Sequence, residues 1–420
     1  MKARVTTADF EGVFNLLMVC CANMKVYGNG TQDDWPGIQE QLDSLVSCVY
    51  LPPPEKCYLI SKPLILHSGQ ELRLDKATVI KLAPGSDCVM LANDNPGGGN
   101  EHITVTGGIW DMQNVLQSPN PYIARPDIVG WGIKKTYSPD IYTGVLMRFV
   151  NVKHFALSGI VFLDPVTYCA QLAKMEYFFV KDITFDFRQW NPIPHNMDGI
   201  HLDGECRFGT ICNLKGRTFD DLVALNADDD DLSPCLGPIE DIKIDGIFAR
   251  DCHSAVRLLS KGSVVRNISI SNIFGTYYQY CIGFTKFMYR ESREGMFRNI
   301  AINGLYASKA RRYSYLKKDD SEDFPLIWME RETKISSLSI TDMVRDEEEV
   351  SLPSIGISEG ATVETLSLRN VRLENLTGGE TCILHNAGKI GRLEFSNVQT
   401  GQRILINHGV IESCIGAHED

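Results

Sequence analysis

Two short stretches hold the side chains in this sequence best suited to chemistry: Asn196-Met-Asp-Gly-Ile-His-Leu-Asp203 and Thr218-Phe-Asp-Asp-Leu-Val-Ala-Leu-Asn226. Asp198 and Asp220 stand 22 residues apart, and Asp221 follows at once. Carboxylates brought within a few ångströms repel, so one keeps a proton at a pH where its neighbours are ionised. Cleavage of a glycosidic bond needs that division: an acid protonates the departing oxygen while another carboxylate activates water. Taken singly, each Asp-Gly or Asp-Asp is more simply a turn or a solvated strand cap. The functional reading rests on the two motifs lying one structural repeat apart.

The chain supplies such a repeat. From about residue 100 an alternating apolar phrase keeps returning, as in Phe179-Val-Lys-Asp-Ile-Thr-Phe185, Val265-Arg-Asn-Ile-Ser-Ile-Ser-Asn-Ile273 and Val363-Glu-Thr-Leu-Ser-Leu-Arg-Asn-Val371. Matching positions Ile244, Ile270, Ile302, Ile340, Leu368 and Phe395 are 26, 32, 38, 28 and 27 residues apart. Alternation marks strands with one buried face, and Asn, Asp or Gly between them lets the backbone turn. A unit this short cannot bury its apolar face alone, whereas stacked coils can. Helix-pair solenoids would need i, i+3, i+4 spacing, which the phrase lacks. The expected fold is all-β, a single-stranded right-handed parallel β-helix of about ten coils with an N-terminal helical cap.

The expected organisation is a cap over residues 1–48, the β-helix over 49–412 and a tail over 413–420. Within the cap, Gln32–Asp43 carries Pro36 at the expected first turn and spaces Ile38, Leu42 and Leu45 helically. Val13–Ala22 reads as an amphipathic helix over the domain end, because Asp9 and Glu11 do not suit a secretory leader. Gln113–Tyr142 reads as a long loop forming a cleft wall. In this frame the two acidic motifs fall on neighbouring rungs, about 4.8 Å apart. With Ile200, Leu202, Val223 and Leu225 inward, His201 points outward and the aspartates face solvent at the strand starts.

Composition narrows the partners. Among 420 residues, 41 basic and 53 acidic side chains leave a net charge of −12, which argues against nucleic acid. No run approaches the roughly 18 apolar residues that would span a membrane. Thirteen cysteines without a CxxC pair read as mostly free thiols in a reducing, cytoplasmic compartment.

At this point the residues resemble a family. Asn196-Met-Asp-Gly is similar to the Asn-Thr-Asp-Gly of glycoside hydrolase family 28, the polygalacturonase-like enzymes, and Asp220-Asp-Leu-Val-Ala-Leu-Asn226 to its Asp-Asp-Cys-Val-Ala-Ile-Asn. Tyr27-Gly-Asn-Gly-Thr-Gln-Asp-Asp-Trp35 resembles the Gly-rich start of pectate-lyase-like β-helices, and Gly107-Gly-Ile-Trp-Asp111 an early family segment. The resemblance covers most of the chain and implies an inverting hydrolase of pectin-type or related glycans. Asp220 would be the general acid, while Asp198 and Asp221 would hold and activate water. It implies no metal or other cofactor and a carbohydrate substrate; the oligomeric state stays open, with a monomer favoured.

Departures from the family pattern shape the remaining candidates. Where the family has Gly-His-Gly, this chain has Asp251-Cys-His253-Ser254, reached through the acidic insert Asp228–Gly237. The family's Arg-Ile-Lys aligns with Phe284-Thr-Lys286, and Arg257 is placed to compensate from the neighbouring rung. His201, His253, Arg257 and Lys286 are thus candidate substrate contacts, each with a local ion pair or plain packing as the alternative. The Asp228–Asp231 run reads as calcium ligands or, more simply, a solvated loop. Trp110, Trp131, Tyr137, Tyr142 and Trp190 read as a sugar platform or as packing. Two other functions stay open: a calcium-dependent uronate lyase or epimerase, and a non-catalytic glycan-binding β-helix of phage tailspike type.

Overall fold

The repeat phrase pairs with itself, rung upon rung. Ile244 pairs with Ile270, Ile270 with Ile302, Ile302 with Ile340, Ile340 with Leu368, and Leu368 with Phe395. The computed structural model describes residues 25–124, 137–229, 232–286, 293–311 and 324–416, so the helix expected at Val13–Ala22 lies outside the described residues. From Ile244 to Leu368 the row is closed to solvent, one apolar stack running through the interior.

Each coil of the central and C-terminal body contributes one long strand, such as Gly295–Lys309, and one short strand, such as Ile282–Thr285. The long strands form one sheet with the shorter N-terminal strands, and the short strands stack into a twelve-stranded sheet from Leu64–Leu66 to Arg403–Asn407. Pairing is parallel throughout, and connections of this kind are right-handed. The chain is therefore a right-handed parallel β-helix. Among the described residues twelve short-strand rungs stand where about ten coils were expected, because early rungs such as Leu64–Leu66 and Leu91–Asn93 lack the repeat phrase.

One corner of the coil is made the same way many times. Asp182, Asn213, Gly246, Asn272, Gly304, Asp342, Asn370 and Asn397 hold corresponding places on successive rungs, each with φ between 53° and 81°. Left-handed backbone costs most residues free energy, and Gly, Asn and Asp least. The amides also bind along the row: Asn370 Nδ2 donates to Asp342 Oδ1 at 2.8 Å, and Asn397 Nδ2 to Asn370 Oδ1 at 3.0 Å.

The helix Trp35–Asp43 closes the N-terminal end, burying Ile38 and Leu42 while Leu45, beyond the helix, is exposed. Gln39 lies along the first short strand: its amide donates to Ile65 O at 3.2 Å and accepts from Ile65 N at 2.8 Å. The edge of the twelve-stranded sheet is thereby paired by a side chain. Asp34 does not cap the helix through its side chain. It binds the chain start to the first rungs, accepting from Gly28 N at 3.0 Å and Leu59 N at 3.0 Å.

Asn370→Ala should destabilise the protein by about 1–2 kcal/mol, through the left-handed backbone and the lost ladder bonds. Asn370→Gly should cost less, since it relieves the backbone term. Thermal unfolding of the two variants side by side checks the order.

Candidate active site

Three short strands build the site: Ile200–Leu202, Asp221–Asn226 and Ser254–Leu259. Ile200 pairs with Val223, which pairs with Val256. The same step sets Asp198 beside Asp221, and Asp221 pairs with Ser254. Gly199 N donates to Asp221 O at 3.0 Å. Glycine is required there: a Cβ would meet Leu222 O at 2.4 Å and the Phe185 ring at 2.7 Å. Asp220 and His253 stand at the corner where each coil passes from its long strand to its short one.

Exposure grades the three carboxylates. The side chains of Asp198 and Asp221 are 3% and 0% exposed, whereas Asp220 is 17% exposed and His253 beside it 19%. The expectation that all three face solvent is thus corrected, since alternation gives a side chain's side of the sheet but not what packs over it. Asp220 Oδ1 lies 3.6 Å from His253 Nδ1 and accepts from Asp221 N at 3.1 Å. Asp221 Oδ2 lies 2.8 Å from Arg257 Nε, and the Ser254 hydroxyl donates to Asp221 Oδ1.

His201 is fully buried instead of outward in solvent. Its Nδ1 lies 2.7 Å from Asp198 Oδ2, and its Nε2 lies 3.6 Å from both Asp203 Oδ1 and Asp229 Oδ2. Its ring stacks on Tyr168, centroids 4.0 Å apart, and Tyr168 OH donates to Tyr122 OH at 3.3 Å. The loop expected at Gln113–Tyr142 therefore reaches the site through Tyr122. Gln171 Nε2 donates to Asp203 Oδ2 at 2.9 Å, extending the polar network by one rung.

The structure thus brings together Asp198, Asp220, Asp221, His201, His253 and Arg257. Lys286 is not brought to them. It follows Thr285, at the far end of its strand, and its ammonium is on Glu332 while its backbone N donates to Glu330 Oε2 at 2.7 Å. Tyr168, Asp203, Asp229 and Ser254 also border the site, although the sequence assigned none of them a place beside these carboxylates. Asp203 and Ser254 lie within the quoted motifs and Asp229 within the acidic run, but their contacts come from neighbouring rungs, which no local pattern encodes.

Few of the other candidates join the site. Trp110 is wholly buried in the core, its indole donating to Gly107 O at 3.2 Å. Trp190 packs edge-on against Phe219, Tyr142 donates to Ser118 O at 3.2 Å, and Tyr137 lies over the Arg148 guanidinium at 5.5 Å. Trp131, Asp230 and Asp231 lie outside the described residues. Asp228 Oδ2 accepts from Lys261 N at 2.9 Å and Ser263 N at 2.7 Å, and Asp229 from Asn226 Nδ2 at 3.0 Å. These two aspartates fasten loops. Asp220, Asp221 and His253 present ligand-type atoms within 4.8 Å of one another. Arg257 already supplies the positive charge beside Asp221, which opposes a cation there.

No protein-family model matches the sequence, and no curated protein matches it. Solved structures do resemble it. A family 28 exopolygalacturonase of Yersinia enterocolitica superposes with a TM-score of 0.62 at 14% identity, over 94% of this chain and 77% of that one. An endo-xylogalacturonan hydrolase of Aspergillus tubingensis gives 0.57 at 12%, over 91% and 98%. An N-terminal fragment of bacteriophage phi29 gene product 12 gives 0.56 at 14%, over 97% and 73%. At such identities the likeness establishes the pectate-lyase-like fold alone.

The cluster holds protons unusually well. Burial raises the Asp198 carboxyl to about 8, helped by the charges of Asp220 and Asp221 and opposed by His201. Burial also raises Asp221, against the pull of Arg257. Burial works against charge on His201, yet its bond to Asp198 and the nearby charge of Asp203 outweigh that and raise it. The protons belong to the cluster rather than to one residue. A carboxyl that binds its proton more tightly when folded stabilises the fold at low pH, and that contribution is lost as pH rises from 3.8 toward about 8. The wild type should therefore melt at lower temperature at about pH 8 than at about pH 5. Asp198→Asn should flatten that slope, as thermal melts across the range would show.

Proposed function

We propose that this protein is a glycoside hydrolase that cleaves a polysaccharide or oligosaccharide with inversion. The observation that carries the reading is the graded exposure of three carboxylates on neighbouring rungs. Asp220, at the mouth beside His253, is placed to meet the glycosidic oxygen and give it a proton. Asp198 and Asp221, beneath it, are suited to hold a water molecule, which is small enough to sit where a sugar ring is not.

The supporting residues fit those roles. His201 engages Asp198 Oδ2; the form with Asp198 ionised, whose Oδ1 can receive the proton of the attacking water, fills as pH rises toward about 8. Ser254 fixes Asp221 Oδ1 by a hydrogen bond, and the Arg257 ion pair at Oδ2 offsets its charge. Preorganised groups of this kind need not rearrange as charge develops in the transition state. The water attacks as the bond to the departing oxygen breaks, so the new hydroxyl takes the opposite anomeric configuration. No step requires a metal.

Purified protein offered a broad panel of plant and microbial glycans should release new reducing ends, unaffected by chelator. Proton NMR of the first product should show the inverted anomer. Asp220→Asn should lower the rate by about 10²–10⁴-fold. An unsaturated, ultraviolet-absorbing product lost with chelator would overturn the reading in favour of a lyase. Glycan binding without any turnover would overturn it in favour of a binding β-helix.

A further inference from the structure

Among the described residues, the cations around the carboxylates are engaged by the protein itself. Arg257 is held on Asp221. Lys286 is on Glu332, and the Lys261 ammonium is on Asp229 O. Arg148, four rungs before Arg257's rung on the same row, binds Gln171 Oε1 through Nε at 2.8 Å and lies under Tyr137. The Lys309 ammonium, on the other side of the corner, donates to Tyr278 O at 3.1 Å and to Gln279 O.

The row that carries Arg257 continues without a charge. Arg257 pairs with Gly283, and Gly283 with Trp328. The space over Gly283 is filled by Tyr280, whose ring would lie 2.6 Å from any Cβ there. Tyr280 in turn packs against Trp328 and Phe324, with ring centroids 5.9 and 6.0 Å away. Trp328 is partly exposed, and its indole donates to Ser358 Oγ at 3.1 Å.

Around this surface stand Asp198, Asp203, Asp220, Asp221 and Asp229, with Arg257 and His201 set among them. A carboxylate on an entering sugar would meet the negative charge that this cluster shares, whichever member holds the proton. To be recognised, it would have to draw Arg257 off the buried Asp221 and leave that charge unpaired. An uncharged ring meets neither obstacle: its hydroxyls can bond Asp220 and His253, and its apolar face can lie on Trp328.

Resting on the hydrolase reading above, we infer that the ring bound at these carboxylates is uncharged, so that the substrate is a neutral glycan and not a polyuronate. The inference concerns specificity and is separable from turnover.

The test measures binding of matched oligosaccharides, with and without carboxylates, to the full wild-type chain in the cold, and repeats each on Asp220→Asn, which removes one charge. One set pairs galacturonan oligomers with their methyl esters and carboxyl-reduced galactans; another pairs glucuronans with α- and β-linked glucans. Retention should fall on the uncharged members, at least about tenfold tighter than on their charged partners, and should not change with added salt. Tighter binding of the charged members, weakened by salt, would overturn the inference. Wild type is then assayed on whichever members bind. Neutral-selective binding without turnover would remove the hydrolase reading and leave this inference standing. Turnover of the uronates in preference would do the reverse. Binding to no member of either set would overturn both.

Discussion

A strand in this molecule cannot slide, because the amides of each rung are bonded to the rungs on both sides. Ile200 is fixed by Val223, Val223 by Val256, and Val256 by Ile282. Shifting one strand by a single residue would turn its apolar positions outward and break two ladders at once. Register therefore converts distance along the chain into position in space. It sets Asp198 beside Asp221 and Asp221 beside Ser254, although the sequence separates the members of these pairs by whole coils.

This constraint explains which parts of the structure can be read from the sequence. The recurring apolar phrase carries the register itself, and Ile244 through Phe395 pair as their places in the phrase imply. The position of the acidic motifs on adjacent rungs follows from the same logic. The exact neighbour does not: a count of 22 residues suggests Asp220 opposite Asp198, while the pairing steps one residue further. Burial is also hidden, because His201, Asp198 and Asp221 are covered by groups whose placement no period encodes. Lys286 shows another limit. A motif alignment locates it at a strand end, but its partner Glu332 comes from the next coil.

The chemistry of the site follows from packing charge under cover. Two buried carboxylates would be costly without partners, and each has a positive or donating neighbour: His201 for Asp198, and Arg257 with Ser254 for Asp221. The partners that make burial tolerable are the same groups that orient the oxygens. Stability and chemistry are therefore coupled in this corner of the coil, while the apolar stack beneath it is free to be optimised for packing.

The row of left-handed Asn, Asp and Gly residues has an evolutionary side. Coils that share this row differ in length from 26 to 38 residues between matching positions, yet the pairing at the row is undisturbed. One corner thus acts as a fixed spine, and added residues leave the coil elsewhere, as at the insert between Asn226 and Ile239 that precedes His253. A lineage built this way can exchange rim loops, and with them its ligands, without renegotiating the core. Sequence identity can then drift to very low values while the coil geometry survives.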